Sequence, residues 1–528
     1  MRTRTPSLAV SVGLVAGTLA ALSAAGGAQA ATARYEAEAS PAVCTGTIDS
    51  DWTGFSGSGF CNGTNAVGAS AQFTVVAPTA GTATLTVRFA NGTTTARPAD
   101  LLVNGTTVAA GAAFGSTGTW TGWTSKAFTV PVAAGTNTVR LSPTSAAGLA
   151  NIDHVELATA DSPAPSGPAL YVSPTGTAGA SGTLADPTTL ASAITRVGAG
   201  GTVYLRGGTY AHAQTVTVAA GNNGTSAARK TIAAYPGETP VLDFSAMAES
   251  SSNRGLALNG DFWHVKGLIV QRAGDNGIYV GGSDNVIERT VTRFNRDTGL
   301  QLGRIASGTP RDRWPARNLM VSVESHDNAD AAGENADGFA AKLTTGPGNV
   351  FRYAVAHHNI DDGWDLYTKP DTGAIDPVTV EYSLAYTNGT LSDGTVNANG
   401  DRNGYKLGGE SIAVDHVVRR SIAYRNGKHG FTYNSNPGSL KVSENVSVDN
   451  AQRNYTFEAG TSVFRGNTSC RSTSSGTNDK LVGDVDATNQ FWSGTNGSRC
   501  ASYAGALGWA FASDGALAVT FGGRPVTW

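Results

Sequence analysis

Six short stretches of this chain repeat one pattern around a glycine: NGIYV at Gly277, TGLQL at Gly299, DGFAAK at Gly338, DGWDL at Gly363, NGYKL at Gly404 and HGFTY at Gly430. The spacing is 22 residues from Gly277 to Gly299, 25 from Gly338 to Gly363 and 26 from Gly404 to Gly430. A period of that length with no helical pattern inside it marks a parallel β-helix, in which each coil stacks on the last. A second ladder keeps the register. Asn295, Asn359 and Asn426 stand four residues before their glycines, and Asn450 stands four before Asn454, which fills the glycine place. The gap is ten residues from Asn328 to Gly338 and sixteen from Asn388 to Gly404, so six and twelve residues are inserted at the same corner. Stacked asparagines can bond from coil to coil through their amides. Loop growth at one corner of a rigid solenoid is where binding surfaces form.

The repeat also assigns faces. The residue after each glycine is large and apolar or aromatic (Ile278, Leu300, Phe339, Trp364, Tyr405, Phe431), and the residue two further on is apolar in five of the six coils and Tyr433 in the last. Period-two alternation turns both columns inward and the position between them outward, which makes Asp365 and Lys406 neighbours on adjacent coils. One residue before the glycine, Asp337 and Asp362 stack in the same way. Asp337, Asp361, Asp362 and Asp365 therefore converge beside one lysine, and four carboxylates so close repel unless a cation sits among them. For Asp362 alone, Asp-Gly turn capping would suffice. For the four together a hard, oxygen-binding cation such as Ca²⁺ fits. The nine lysines against 28 arginines make a lysine at this crowded outward position notable, with a plain salt bridge to Asp365 as the competing explanation.

The rest of the 528 residues reads as all-β with a second folded unit. Sixty-seven glycines and many short Val/Thr/Ala runs go with strands and turns. The net charge of −3 gives no reason to expect nucleic acid or an anionic membrane as partner. Residues 1–30 read as a signal peptide: Arg2 and Arg4, an apolar run over 8–22 and AQA ending at Ala30. The mature protein is expected to be secreted, extracellular and monomeric. In an oxidising compartment Cys44 with Cys61, and Cys470 with Cys500, are expected to form local disulfides; no histidine lies at zinc-ligand spacing from either pair. The Pro/Ser-rich 161–168 is a linker between 31–160 and 169–528. Before it, runs such as AQFTVVA, TATLTVRFA and TNTVRLSP, separated by Gly/Thr turns, predict a β-sandwich.

YEAEAS, RFANG, TWTGW and NIDHVEL, spread over 33–158, give this sandwich a resemblance to the jelly-roll carbohydrate-binding module families 6 and 35. The resemblance implies a structural calcium held by Glu36, Glu38 and Asp153. It also implies a sugar site in loops at one end, with Asn91, Trp120 and Asn151 as candidates and Trp123 as an alternative platform.

Residues 170–528 resemble the polysaccharide lyase family 9 pectate lyases, which are right-handed parallel β-helices. The matching stretches are LYVSPTGTAGASGTLADPTTLASAI, GGTVYLRGGTY, ADGFAAKLTTGPGNVF, NIDDGWDLYTK and NGYKLGG. Carried over residue by residue, the resemblance makes Asp337, Asp361, Asp362 and Asp365 the ligands of a catalytic calcium and Lys406 the base. The expected substrate is polygalacturonate or pectin, cleaved by β-elimination through loss of the C5 proton. Alternatives on the same scaffold are a rhamnogalacturonan or other uronan lyase, a polygalacturonase-type hydrolase, which would need neither calcium nor Lys406, and a non-catalytic adhesin, against which the intact lysine and aspartate columns count.

Overall fold

The computed structural model describes residues 31–77, 81–133, 135–159, 168–396 and 399–527. The signal peptide and nearly all of the linker expected from sequence lie outside the described residues. The N-terminal unit is an antiparallel sandwich. A 6-stranded sheet contains Ala31–Glu36, Gly81–Ala90 and Asn151–Thr159, and a 5-stranded sheet faces it with Ala71–Ala77, Arg97–Val103 and Gly135–Pro143. Alternate residues along these strands, among them Phe73, Val75, Leu85, Val87, Leu141 and Val155, fill the space between the sheets. The Cys44–Cys61 disulfide is formed.

The second unit is a β-helix of three parallel sheets. The 12-stranded sheet runs from Ala169–Val172 to Asp484–Val485. One 10-stranded sheet runs from Gly208–Ala211 to Thr468–Cys470 and the other from Val216–Val218 to Lys480–Leu481. Helix Leu190–Arg196 lies at the N-terminal end, capped by Thr189 Oγ1, which accepts from the Ser192 amide at 3.3 Å. The coils begin earlier than the glycine pattern shows and end before the chain does. After Val485 come an irregular segment and a 3-stranded antiparallel sheet over Leu507–Phe511, Leu517–Phe521 and Arg524–Pro525. Its Leu517, Val519 and Phe521 cover Val355, Leu384 and Ile422 on the outside of the second parallel sheet, and the Cys470–Cys500 disulfide joins the segment to the last coil. The expectation of a β-helix to residue 528 is corrected accordingly.

The inward columns stack as expected. Trp364 lies 4.7 Å from Tyr405, Tyr405 4.6 Å from Phe431 and Phe431 5.0 Å from Tyr455, centroid to centroid and nearly parallel. The asparagine ladder is continuous: Nδ2 of Asn295, Asn328, Asn359, Asn388 and Asn426 each donates to Oδ1 of the next at 2.8–2.9 Å. Each ladder asparagine follows a non-glycine residue with positive φ, such as His358 at 52° and Arg425 at 51°, and the ladder bonds offset the cost of that corner. The ladder also explains the glycines. A Cβ on Gly363 would meet Asn388 Nδ2 at 2.9 Å and Gly404 O at 2.6 Å.

Candidate active site

The loop-to-strand step of three successive coils of the third sheet delivers the acidic residues. Strand pairing sets Ala340 beside Asp365 and Asp365 beside Lys406. The Gly338 amide donates to the Asp362 carbonyl at 2.9 Å, which stacks Asp337 on Asp362. Carboxylate oxygens of Asp337, Asp361 and Asp362 all lie within 4.8 Å of one another. Asp365 stands outside this trio and faces the lysines.

The protein fixes one oxygen each of Asp361 and Asp362 and both of Asp337, whose Oδ1 accepts from the Asp362 amide at 3.3 Å. Asp361 Oδ1 accepts from the Asp401 and Arg402 amides at 2.6 and 3.1 Å. Asp362 Oδ1 accepts from the Asn403 amide and Nδ2 at 2.6 and 3.0 Å, and Asp337 Oδ2 accepts from Thr298 Oγ1 at 3.1 Å. By contrast Asp365 Oδ1 is buried with no hydrogen-bond partner, and Asp362 Oδ2 is buried with only the Lys406 ammonium at 3.3 Å beside it. Oxygens left open in a closed space are what a cation would coordinate, so the donor set fits a hard dication.

Two residues that the sequence reading missed enter here. Lys342 Nζ lies 2.8 Å from Asp337 Oδ2 and 3.2 Å from Asp365 Oδ2. Asp401 Oδ2 lies 3.1 Å from Lys406 Nζ, and its other oxygen is 2.6 Å from Lys428 Nζ. Lys406 also reaches Asp362 at 3.3 Å and Asp365 at 3.8 Å, and the ring of Tyr367 lies 5.3 Å from its Nζ. Lys406 points out from the coil yet is only 9% exposed, so it is enclosed rather than solvent-facing. Lys342 was legible as a scarce lysine inside ADGFAAKL. Asp401 sits in the twelve-residue insertion, where the repeat gives no register.

Five carboxylates and three ammonium groups leave a formal excess of two negative charges, the charge of one dication. The titration of the site reflects this. Burial first, then neighbouring aspartates, push the carboxyls of Asp337, Asp361 and Asp362 up to about 8, 10 and 6. Burial alone would lower Lys406, but Asp365, Asp362, Asp337 and Asp401 outweigh it and raise its pKa. Lys342 is raised in the same way, by Asp337 and Asp365 against its burial.

The sandwich brings Glu36, Asp153 and His154 together. Glu38 lies outside that group: its Oε1 accepts from the Ser58 amide at 2.7 Å and its Oε2 is buried without a partner. Both Asp153 oxygens accept from the Ser56 amide at 3.0 and 3.1 Å, and Arg88 Nη1 bonds Asp153 as well. Burial opposes ionisation of Asp153, but the hydrogen bonds from His154, Arg88 and Ser56 win and hold its carboxyl below the ordinary range. Of the sugar-site candidates, Asn91 is corrected. It is fully buried, its Nδ2 donates to Thr95 O and Phe114 O, and its Oδ1 accepts from the Thr93 amide and hydroxyl, so its amide has no capacity left for a sugar. Asn151 is buried at a strand start. Trp120 lies over Gly92, 6.5 Å from the exposed Trp52 and under the Arg97 guanidinium. Trp123 is packed on Phe60 and donates to Thr53 O, which separates it from Trp120 as a platform.

The description "Pel9A-like, right handed beta helix region" matches residues 170–468, more than half of the chain. The chain belongs to this family. The family 6 carbohydrate-binding module matches residues 39–159. Pectate lyase L of Paenibacillus polymyxa is 54% identical over 325 residues, 61% of this chain and 72% of that one. The crystal structure of pectate lyase Pel9A superimposes with a TM-score of 0.56 at 29% identity, covering 66% of this chain and 86% of that one. In the sandwich, an exo-β-D-glucosaminidase of Amycolatopsis orientalis is 46% identical over 123 residues, 23% of this chain and 12% of its own length. The family member described here is thus a polysaccharide lyase whose right-handed parallel β-helix carries an N-terminal sandwich of the carbohydrate-binding-module type.

Proposed function

We propose that this chain is an exported, calcium-dependent pectate lyase that cleaves polygalacturonate by β-elimination, with Lys406 as general base and the sandwich retaining the enzyme on pectic polysaccharide. The observation that carries this reading is the excess of two negative charges around Asp337, Asp361 and Asp362, with the unpartnered buried Asp365 Oδ1 alongside, next to an enclosed lysine. Asp337, Asp361 and Asp362 would hold the ion, with Asp365 beside them. Bound there, calcium supplies Lewis-acid stabilisation for the charge that grows on a uronate as its C5 proton leaves.

Lys406 must be neutral to accept that proton. The field of the aspartates keeps it protonated against its burial; a dication held among them would weaken that field and give burial, which lowers the pKa, more weight. The proton then passes from C5 to Lys406 Nζ, its electron pair forms the C4–C5 double bond, and the C4–O bond breaks with the departing oxygen protonated by solvent. Asp401 and Asp362 orient the ammonium group from two sides. Ultraviolet absorbance of the products released from polygalacturonate tests the reading. Conjugated product that requires calcium is expected; new reducing ends without conjugation, or full activity after exhaustive chelation, would overturn it.

A further inference from the structure

The coils on the two sides of Lys406 carry different sets of charged groups. Toward the N-terminus, Arg254 stacks on Tyr279 and approaches Asp275 at 3.6 Å, with Asp297 next to Asp275. Toward the C-terminus three cations, Lys428, Arg453 and Lys480, stand with two carboxylates, Asp401 and Glu458. The Gly404 amide donates to the His429 carbonyl at 2.8 Å and the Gly430 amide to the Arg453 carbonyl at 3.0 Å. Those bonds continue the column of Asp337 and Asp362 and set Arg453 two coils beyond Lys406, about 10 Å along the stack at ordinary strand spacing.

Lys428 has Asp401 at 2.6 Å and Lys480 has Glu458 at 3.1 Å. Arg453 has no carboxylate within ion-pair distance among the described residues. It is half-buried, and its Nε donates to Asn478 O at 3.0 Å. A planar guanidinium kept charged and partly desolvated without a counter-ion is a ready partner for a carboxylate. Glu458 acts electrostatically on Arg453 but is itself paired with Lys480 at 3.1 Å, and His429, pushed down to about 4 by burial and then by Lys428 and Arg453, brings no charge to the column.

We propose that Arg453 binds the carboxylate of a uronosyl unit beyond the bond cleaved at Lys406, so that the coils C-terminal to Lys406 anchor the polymer. This rests on the uronan-lyase reading above. Steady-state kinetics on polygalacturonate over a range of salt concentrations, with calcium saturating, test it. Arg453→Gln is expected to raise KM roughly tenfold with kcat within twofold of wild type and to flatten the rise of KM with salt, while Arg453→Lys recovers most of the loss. Arg296→Gln, a control on the opposite side of Lys406 where Arg296 is 59% exposed and 3.8 Å from Glu249, should match wild type. Lys480→Gln, at an exposed position, should shift KM in the same direction by a smaller factor and guards against a fold defect in the Arg453 variants. Wild-type KM and salt dependence in Arg453→Gln would overturn the inference, as would an Arg296→Gln shift equal to that of Arg453→Gln. A wild-type enzyme that releases no conjugated product would instead sink the uronan-lyase reading.

Discussion

Among the described residues, the acidic cluster of the sandwich and that of the β-helix have opposite electrostatic character. In the sandwich, Asp153 is bonded to Arg88 and Ser56 with His154 alongside, and its carboxyl is held below the ordinary range. In the β-helix, Asp337, Asp361 and Asp362 are buried together and pushed far above it, although two lysines touch the cluster. The first cluster largely balances its own charge. The second is assembled by stacking, with Asp337 from one coil set on Asp361 and Asp362 from the next, and the solenoid imposes the juxtaposition whatever the repulsion. A fold rigid enough to force like charges together leaves an excess of negative charge for a cation to balance, whereas the sandwich accommodates its acids with an arginine.

The largest expected effect separates the clusters by chemistry. Lys406→Ala should lower elimination by ~10²- to 10⁴-fold or more, the range of a lost general base, with fold and calcium affinity kept. Lys406→Arg should fare nearly as badly, because guanidinium cannot release its proton at a working pH. An arginine variant within a few-fold of wild type would reduce Lys406 to a salt-bridge partner.

The next effect is on pH dependence. In the folded β-helix the three carboxyls sit at about 6, 8 and 10, against an ordinary 3.8. The folded state therefore keeps protons that the unfolded chain has released, and stability falls as pH rises through this window. Melting in chelator should show a progressive loss from pH 3.8 upward toward pH 8 to 10. Calcium should flatten that loss, since the ion is bound by the ionised carboxylates. Identical profiles with and without chelator would remove the contrast between the clusters.

A smaller effect belongs to the sandwich. Arg88→Ala leaves Asp153 buried beside Glu36 without its arginine. Because the Arg88 side chain is 26% exposed, the cost should be about 2 kcal/mol, below the ~3–5 kcal/mol of a fully buried pair. Turnover of soluble polygalacturonate should be unchanged, and calcium should recover part of the lost stability. Smallest of all, removing residues 31–160 should leave that turnover intact and reduce only retention on insoluble cell-wall pectin; equal retention would refute the module's role.

Much of this organisation was legible in the sequence because a solenoid writes its register into the chain. Trp364, Tyr405 and Phe431 face inward, and Asp365 meets Lys406, because one coil differs from the next by a countable step. Where the period breaks, legibility ends. Asp401 lies in the insertion and reaches Lys406 only through loop geometry, and the three strands from Leu507 onward are antiparallel and stand outside the repeat's period. Lys342 was visible as a residue, but its column was not counted. Asn91 matched a motif, yet motif residues can be structural, and only the hydrogen-bond partners reveal that its amide is consumed.

The central claim is that the β-helix cluster is a calcium site set by its own charge excess. Calorimetric titration of calcium into the full chain and into Asp362→Ala measures this directly. Loss of one bound calcium in the variant, with the remaining binding unchanged, is the predicted result. Equal stoichiometry and affinity in the two proteins would contradict it.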